Sequence, residues 1–287
     1  MKNASTLTSK QTKMKTKIYL IITLLSAFLL NSCQEVVDIP LDTENPRLVI
    51  DASINWLKGT PGNDQKIKLT TTTNFYSSTI PTVSGATVFI TNSANTVFNF
   101  IETPSTGEYY CTNFAPVLEE IYALTVIVNG QTYNATETLK SVAAITNVTE
   151  ETQTGFGTNV KKVKTLFHDP ANADNYYMYR YKLASKLKPN YSVDDDTFFQ
   201  GNDFFSLAFI EDSTPGETLE ITHFGVSQQF YNYMNILLSV AGSQGGGPFQ
   251  SPPATVKGNI KNTTDFPNYP LGYFRLSEVD TTIHTML

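Results

Sequence analysis

A mainly β chain with one amphipathic helix is predicted by three features of this 287-residue sequence. Apolar side chains recur at every second position from Arg47 to about Leu139 and again from Val160 onward. Clusters of Gly, Pro, Asn, Asp and Ser interrupt that alternation. Only one stretch, after Ser227, switches to helical spacing.

In the first region Leu48, Ile50, Ala52, Ile54 and Trp56 alternate with Val49, Asp51, Ser53 and Asn55, which places one set on a buried sheet face. Ile67 and Leu69 continue the pattern, followed by "GATVFIT", "TVFNFIE" and "EYYCTNF". "IYALTVIV" and "QTYNATETL" flank Asn129-Gly130, the pair that accepts positive φ at both centres of a type I′ hairpin. About seven strands at roughly 12-residue spacing predict an immunoglobulin-like β-sandwich over residues 47–140. The Cys, Trp, Cys trio of antibody domains is missing, so architecture alone is implied.

The composition shifts to Thr, Asn and Gly in Lys140–Asn159, and a second β-rich domain is expected over residues 145–287. "VKKVKTLF" alternates, and "YYMYRYKLASKL" sets Tyr177, Tyr179, Tyr181 and Leu183 on one face. Tyr176, Met178, Arg180 and Lys182 form the other, suited to partial exposure. "DDDTFFQGND" reads as a loop or turn, and "FFSLAFI" and "ETLEITHF" as strands. The helix is placed near residues 227–241 by Phe230, Tyr233, Met234, Leu237, Leu238 and Ala241, with Ser227 as its cap. Gly242 and then "GGGPFQSPPATVKGNI" stop it, and Phe249 is positioned to pin that loop to the core.

Tyr176, Tyr179 and Phe249 form the candidate binding surface, because aromatic side chains give large contact area at little rotamer cost. Tyrosine also simply suits strands, and the structural reading weighs more.

At the other end Lys13, Lys15 and Lys17 precede a 13-residue apolar run, Ile18–Leu30, and then "NSC". A bilayer-spanning helix needs about 20 residues, so the run reads as the core of an export signal over residues 1–32. Cys33 is the expected lipidation site and membrane anchor, with residues 33–46 as a tether. Without the five lysines of the signal, 15 basic residues face 26 acidic ones, a net charge of −11. That balance argues against a nucleic-acid partner. Cys111 is the other cysteine and reads as a small buried hydrophobe.

His168, His223 and His284 are far apart and lack paired spacing, and neither GxSxG nor a P-loop occurs. His168-Asp169-Pro170 reads as a turn before it reads as a base beside a carboxylate. Asp194, Asp195 and Asp196 lack the spacing of an EF-hand and are expected to form a solvated acidic turn. No catalytic residue, metal ligand or cofactor is assigned.

"SCQEVVDI", "VSGATVFI", "YALTVIVNGQTYNATETL", "FHDPANADNYYMYRY", "FFQGNDF" and "GGGPFQSPPATVKGNI" with "LGYFRLSEV" together resemble the domain of unknown function 4249 family of Bacteroidota lipoproteins. The resemblance spans nearly all of the chain after the signal. It implies an exported outer-membrane lipoprotein whose gene often lies beside those for TonB-dependent receptors, and it carries no catalytic residues. The expected function is therefore a non-catalytic binding or accessory role beside such a receptor; a structural or adhesive surface protein is the alternative.

Overall fold

The computed structural model describes residues 45–74, 77–155, 158–241 and 256–287. The signal segment, Cys33, nearly all of the tether and the Phe249 loop lie outside the described residues.

Seven strands open the described chain: β1 (Leu48–Leu57), β2 (Gln65–Thr71), β3 (Thr87–Asn92), β4 (Val97–Thr103), β5 (Glu108–Cys111), β6 (Ile121–Val128) and β7 (Gln131–Thr138). Each alternates buried and open positions, because one face meets a core and the other meets solvent. Strands β1, β2 and β5 pair in that order, as do β3, β6 and β7. Strand β4 serves both sheets: Val97–Phe100 pair with β3, and Ile101–Thr103 with β5. First, second, fifth and fourth strands against third, sixth and seventh is the order of an immunoglobulin-like sandwich. The inner faces meet through Ile50, Ile67, Leu69, Val88, Ile90, Leu124 and Val126. Asn129 and Gly130 adopt φ of 52° and 73°, as the predicted hairpin requires.

Tyr122, at the start of β6 and without exposed surface, fixes the connection that precedes it. Its hydroxyl donates to Ala115 O at 3.1 Å and accepts from Val117 N at 2.9 Å. This is the tyrosine corner of such sandwiches. Tyr122→Phe leaves both backbone groups without that partner and is expected to cost about 1–3 kcal/mol, read as a lower denaturant midpoint at unchanged slope.

The second half supplies β8 (Ile145–Gly155), β9 (Thr158–His168), β10 (Tyr176–Leu183), β11 (Asn190–Asp195), β12 (Asp203–Ile210), β13 (Thr218–Val226), α1 (Gln228–Val240), β14 (Lys261–Asn262) and β15 (Leu271–Thr285). Strands β12, β9 and β8 form a small sheet, while β11, β10, β13 and β15 extend the sheet that contains β1. The last strand joins the halves. It runs parallel to β1 from Leu271 to Val279 and antiparallel to β13 from Val279 to Thr285. Phe274 and Leu276 fill the first core, so the division expected between residues 140 and 145 does not separate the two halves' packing.

Three layers make up the second half. Tyr177, Tyr179, Tyr181 and Leu183 of β10 meet Val163, Phe167, Ala208 and Ile210 of the small sheet. On the opposite face Met178, Phe224 and Val226 meet Phe230, Met234 and Leu238 of α1. That face was expected to be partly exposed. Met178 is instead buried, because the helix covers it, whereas Tyr176, Arg180 and Lys182 are half-buried. Ser227 caps α1 as expected, accepting from Phe230 N at 3.2 Å.

Candidate functional site

Among the described residues the two sheets of the second half do not close along one side. Strand β11 ends the large sheet and β12 ends the small one, and a cleft of about 1080 Å³ lies between them. Tyr181 and Leu183 are lining residues that also belong to the buried face of β10. Residues 186–192 line the cleft with Lys186, Leu187, Lys188 and Tyr191; residues 207–211 line it from β12. Leu238 and Ala241 reach it from the end of α1.

The lining is amphipathic. Leu187 is 97% exposed, and Phe209 is 53% exposed. Lys186 pairs with Asp212 at 3.0 Å, whereas Lys188 is exposed and has no ion pair among the described residues. Below them the Tyr181 hydroxyl lies 3.2 Å from Thr165 Oγ1, and burial pushes its pKa up, keeping it a neutral hydrogen-bonding group. These groups can hold a ligand by apolar contact, hydrogen bonding and positive charge.

The edge of β12 adds backbone groups. Asp169 N donates to Asn202 O at 3.0 Å, so residues 204, 206, 208 and 210 turn their N–H and C=O toward β9 in the antiparallel alternation. Phe205, Leu207 and Phe209 therefore turn theirs to the open edge. Their side chains lie on the outer face of the small sheet, where Lys164 Nζ sits 5.4 Å from the Phe205 ring centre.

Tyr179 is not part of a binding surface: it is wholly buried, because alternation on a central strand turns it under the small sheet. Tyr176 lies on the opposite face, its ring 5.3 Å from that of Tyr231 on α1. The structure does not bring these two together, and Phe249 lies outside the described residues, as does Cys33. Sequence reasoning missed Lys188, Tyr191, Phe205 and Phe209. One signal was present: Phe204–Ile210 has no charge and is apolar on both faces, unlike a strand with one solvated side.

The acidic run is more structural than expected. Asp196 is buried and accepts from Asn175 N at 2.7 Å, because it ties the ends of β10 and β11 together. Asp195 accepts from Thr197 N and from the Tyr231 hydroxyl at 2.7 Å, and those bonds hold its pKa down. Burial pushes Asp194 up. Among the described residues no group of three or more His, Cys, Asp or Glu is placed to hold a metal ion. Cys111 is buried, and desolvation pushes its thiol up, which makes it unreactive.

The neighbours His168 and Asp169 diverge. His168 meets Asp203 across the strands at 2.8 Å, while Asp169 points inward to the Tyr177 hydroxyl and Gly201 N. His284 meets Glu150. His223 is wholly buried among Phe167, Tyr177 and Tyr179, with ring centres 4.7, 4.8 and 4.7 Å away.

These observations define a mainly β protein with an immunoglobulin-like sandwich, a single described helix and an open-sided second core. The chain belongs to the family described as Domain of unknown function (DUF4249), whose model matches residues 34–283. No curated protein matches the chain. Among solved structures, a segment of two fibronectin type III domains from chicken tenascin is similar at 10% identity, covering 63% of this chain and 91% of that one, with a TM-score of 0.20.

Proposed function

We propose that this protein is an exported, lipid-anchored outer-membrane component that works as a non-catalytic binding or accessory partner of a TonB-dependent transporter. The open cleft between β11 and β12 carries the binding reading, because among the described residues it combines apolar lining, a lysine without an ion pair and backbone groups at a strand edge. The apolar run Ile18–Leu30, followed by Cys33, and the likeness to Bacteroidota lipoproteins support the anchor and the location. Among the described residues no helix is long and apolar enough to cross a membrane. Attachment through acyl chains on Cys33 supplies the membrane contact in this reading.

The test is affinity isolation of a tagged protein at its native level, followed by mass spectrometry of the detergent extract. Repeated recovery of one outer-membrane receptor is expected, since a stable interface of more than about 1,000 Å² survives mild extraction. Recovery of the protein alone, with normal nutrient uptake in a deletion strain, would favour a structural or adhesive surface role. Cys33→Ser is expected to remove fatty-acid labelling and release the protein from the membrane fraction; a labelled serine variant would remove the anchor from the proposal.

A further inference from the structure

We infer that the free edge of β12 is a docking site for an extended peptide segment of a partner protein, apolar at alternate positions and bearing an acidic side chain. The inference deepens the binding role proposed above and rests on it.

Strand edges in folded proteins are usually blunted by charge, proline or a cover, because an open edge templates pairing with other chains. The two edges of the small sheet differ in this respect. Strand β8 carries Glu150 and Glu151 among threonines, and Glu151 pairs with Lys164 of β9. Strand β12 has no charge and no proline in the seven residues Phe204–Ile210, and among the described residues it pairs with β9 alone. The edge of the neighbouring sheet, β11, carries Asp194 and Asp195. The least protected edge in the second half is thus β12, on one side of the cleft.

A peptide paired to that edge gains backbone bonds from Phe205, Leu207 and Phe209. Its side chains alternate, as in any strand. One set falls toward the cleft, beside Tyr181, Leu183 and Leu238; the other lies on the outer face beside Phe205 and Phe209, which are 39% and 53% exposed. Charge selects the acidic residue. Lys186, Lys188 and Glu211 line the cleft; Lys186 is held by Asp212, while Lys188 stands in the loop before β11 with its ammonium uncommitted among the described residues, so a carboxylate at an intervening position on that side of the peptide finds a partner there.

The experiment uses the folded protein and a pool of synthetic octapeptides with apolar residues at alternate positions, half carrying glutamate and half lysine at one intervening site. Retained peptides are counted by mass spectrometry. The glutamate set is expected to be enriched at least about fivefold, with slowed amide exchange at Phe205, Leu207 and Phe209. Leu207→Pro removes an outward N–H and leaves the β9 ladder intact, so it is expected to cut retention at least about tenfold. Phe209→Lys blunts the same edge without changing the backbone and is expected to do likewise, while Lys188→Glu is expected to reverse the charge preference. Retention unchanged in both edge variants, no enrichment by the wild type, or exchange protection confined to other strands would overturn the site. A wild-type dimer that Leu207→Pro converts to monomer would also overturn it, assigning the edge to a second copy. The binding role fails separately: a receptor recovered equally by wild type and Leu207→Pro leaves that role intact and removes only strand addition.

Discussion

Gly272→Ala is expected to prevent this protein from folding. Gly272 sits in β15 opposite Ile50 of β1, with φ of 96°, in the region that side chains other than glycine's rarely enter. A Cβ there would lie 2.0 Å from Ile50 O, well inside any van der Waals contact. A second backbone segment also crowds this strand, since a Cβ on Gly258 would stand only 1.8 Å from Gly272 O, which leaves β15 little room to shift. The clash must displace the ladder that seats Tyr273–Val279, every one of which is buried. Strain at such a backbone position alone costs about 1–3 kcal/mol, and the displaced core adds more. A loss above about 4 kcal/mol removes a large share of a typical fold's margin of about 5–15 kcal/mol. Gly130→Ala is the control: it has positive φ and no atom within 4 Å of the added methyl, so it should keep a cooperative unfolding transition. A Gly272→Ala protein with an unfolding free energy within about 1 kcal/mol of wild type would disprove the close packing of β15 on β1.

His223 should make the protein acid-labile in a window set by its own burial. Its ring stacks on Tyr179 at 15° inside the second core, and among the described residues neither nitrogen has a well-placed hydrogen-bond partner. Desolvation, far more than the charge of Lys58, pushes its pKa from 6.5 down to about 3, while the Ala143 backbone opposes the shift. Between those values the unfolded chain binds a proton that the folded chain refuses. Stability from this group is therefore whole above pH 6.5 and is lost as pH falls toward 3, at up to about 1.4 kcal/mol per pH unit. Glu137 and Asp169 act in the opposite sense, because burial raises their carboxyl pKa values; Glu150 and Asp195 are lowered and add to the loss. The comparison that isolates the imidazole is wild type against His223→Leu, unfolded by urea at steps from pH 7.5 to 4. The variant is expected to show a shallower fall below pH 6.5. Parallel curves would mean that the ring is hydrated or bonded in the folded state.

Much of this architecture was legible in the sequence for a physical reason. Strands with one solvated face betray themselves by alternation, which located β1 to β7 and the Asn129-Gly130 turn. The helix was equally plain, because Phe230, Met234 and Leu238 are apolar at helical spacing and Ser227 stands at the cap. Strand β15 was harder to place. "LGYFRLSEV" is buried on both faces in the middle of a sheet, and nothing local says that its parallel partner is β1. The misplacement of Tyr179 has the same origin: alternation shows which tyrosines share a face, but only the second sheet decides which face is covered. The cleft depends on β11 and β12, consecutive strands that end different sheets, and nothing local assigns them to separate sheets, so Lys188 and Phe209 carry no mutual signal. Only the uncharged run of β12 hinted that something should cover it.

The parallel pairing of β1 with β15 also governs when this protein can be finished. Asn55 and Arg275, which share a hydrogen bond at 2.8 Å, are separated by 220 positions. At synthesis rates of about 5–20 residues per second, β1 waits roughly 10–40 s before its neighbour has been made. Throughout that interval the sandwich lacks Phe274 and Leu276, and one side of β1 offers unsatisfied backbone groups to any passing strand. When β15 emerges it completes the first core and supplies the partner of β13 in the same event. Neither half is therefore closed until residues 271–285 have emerged.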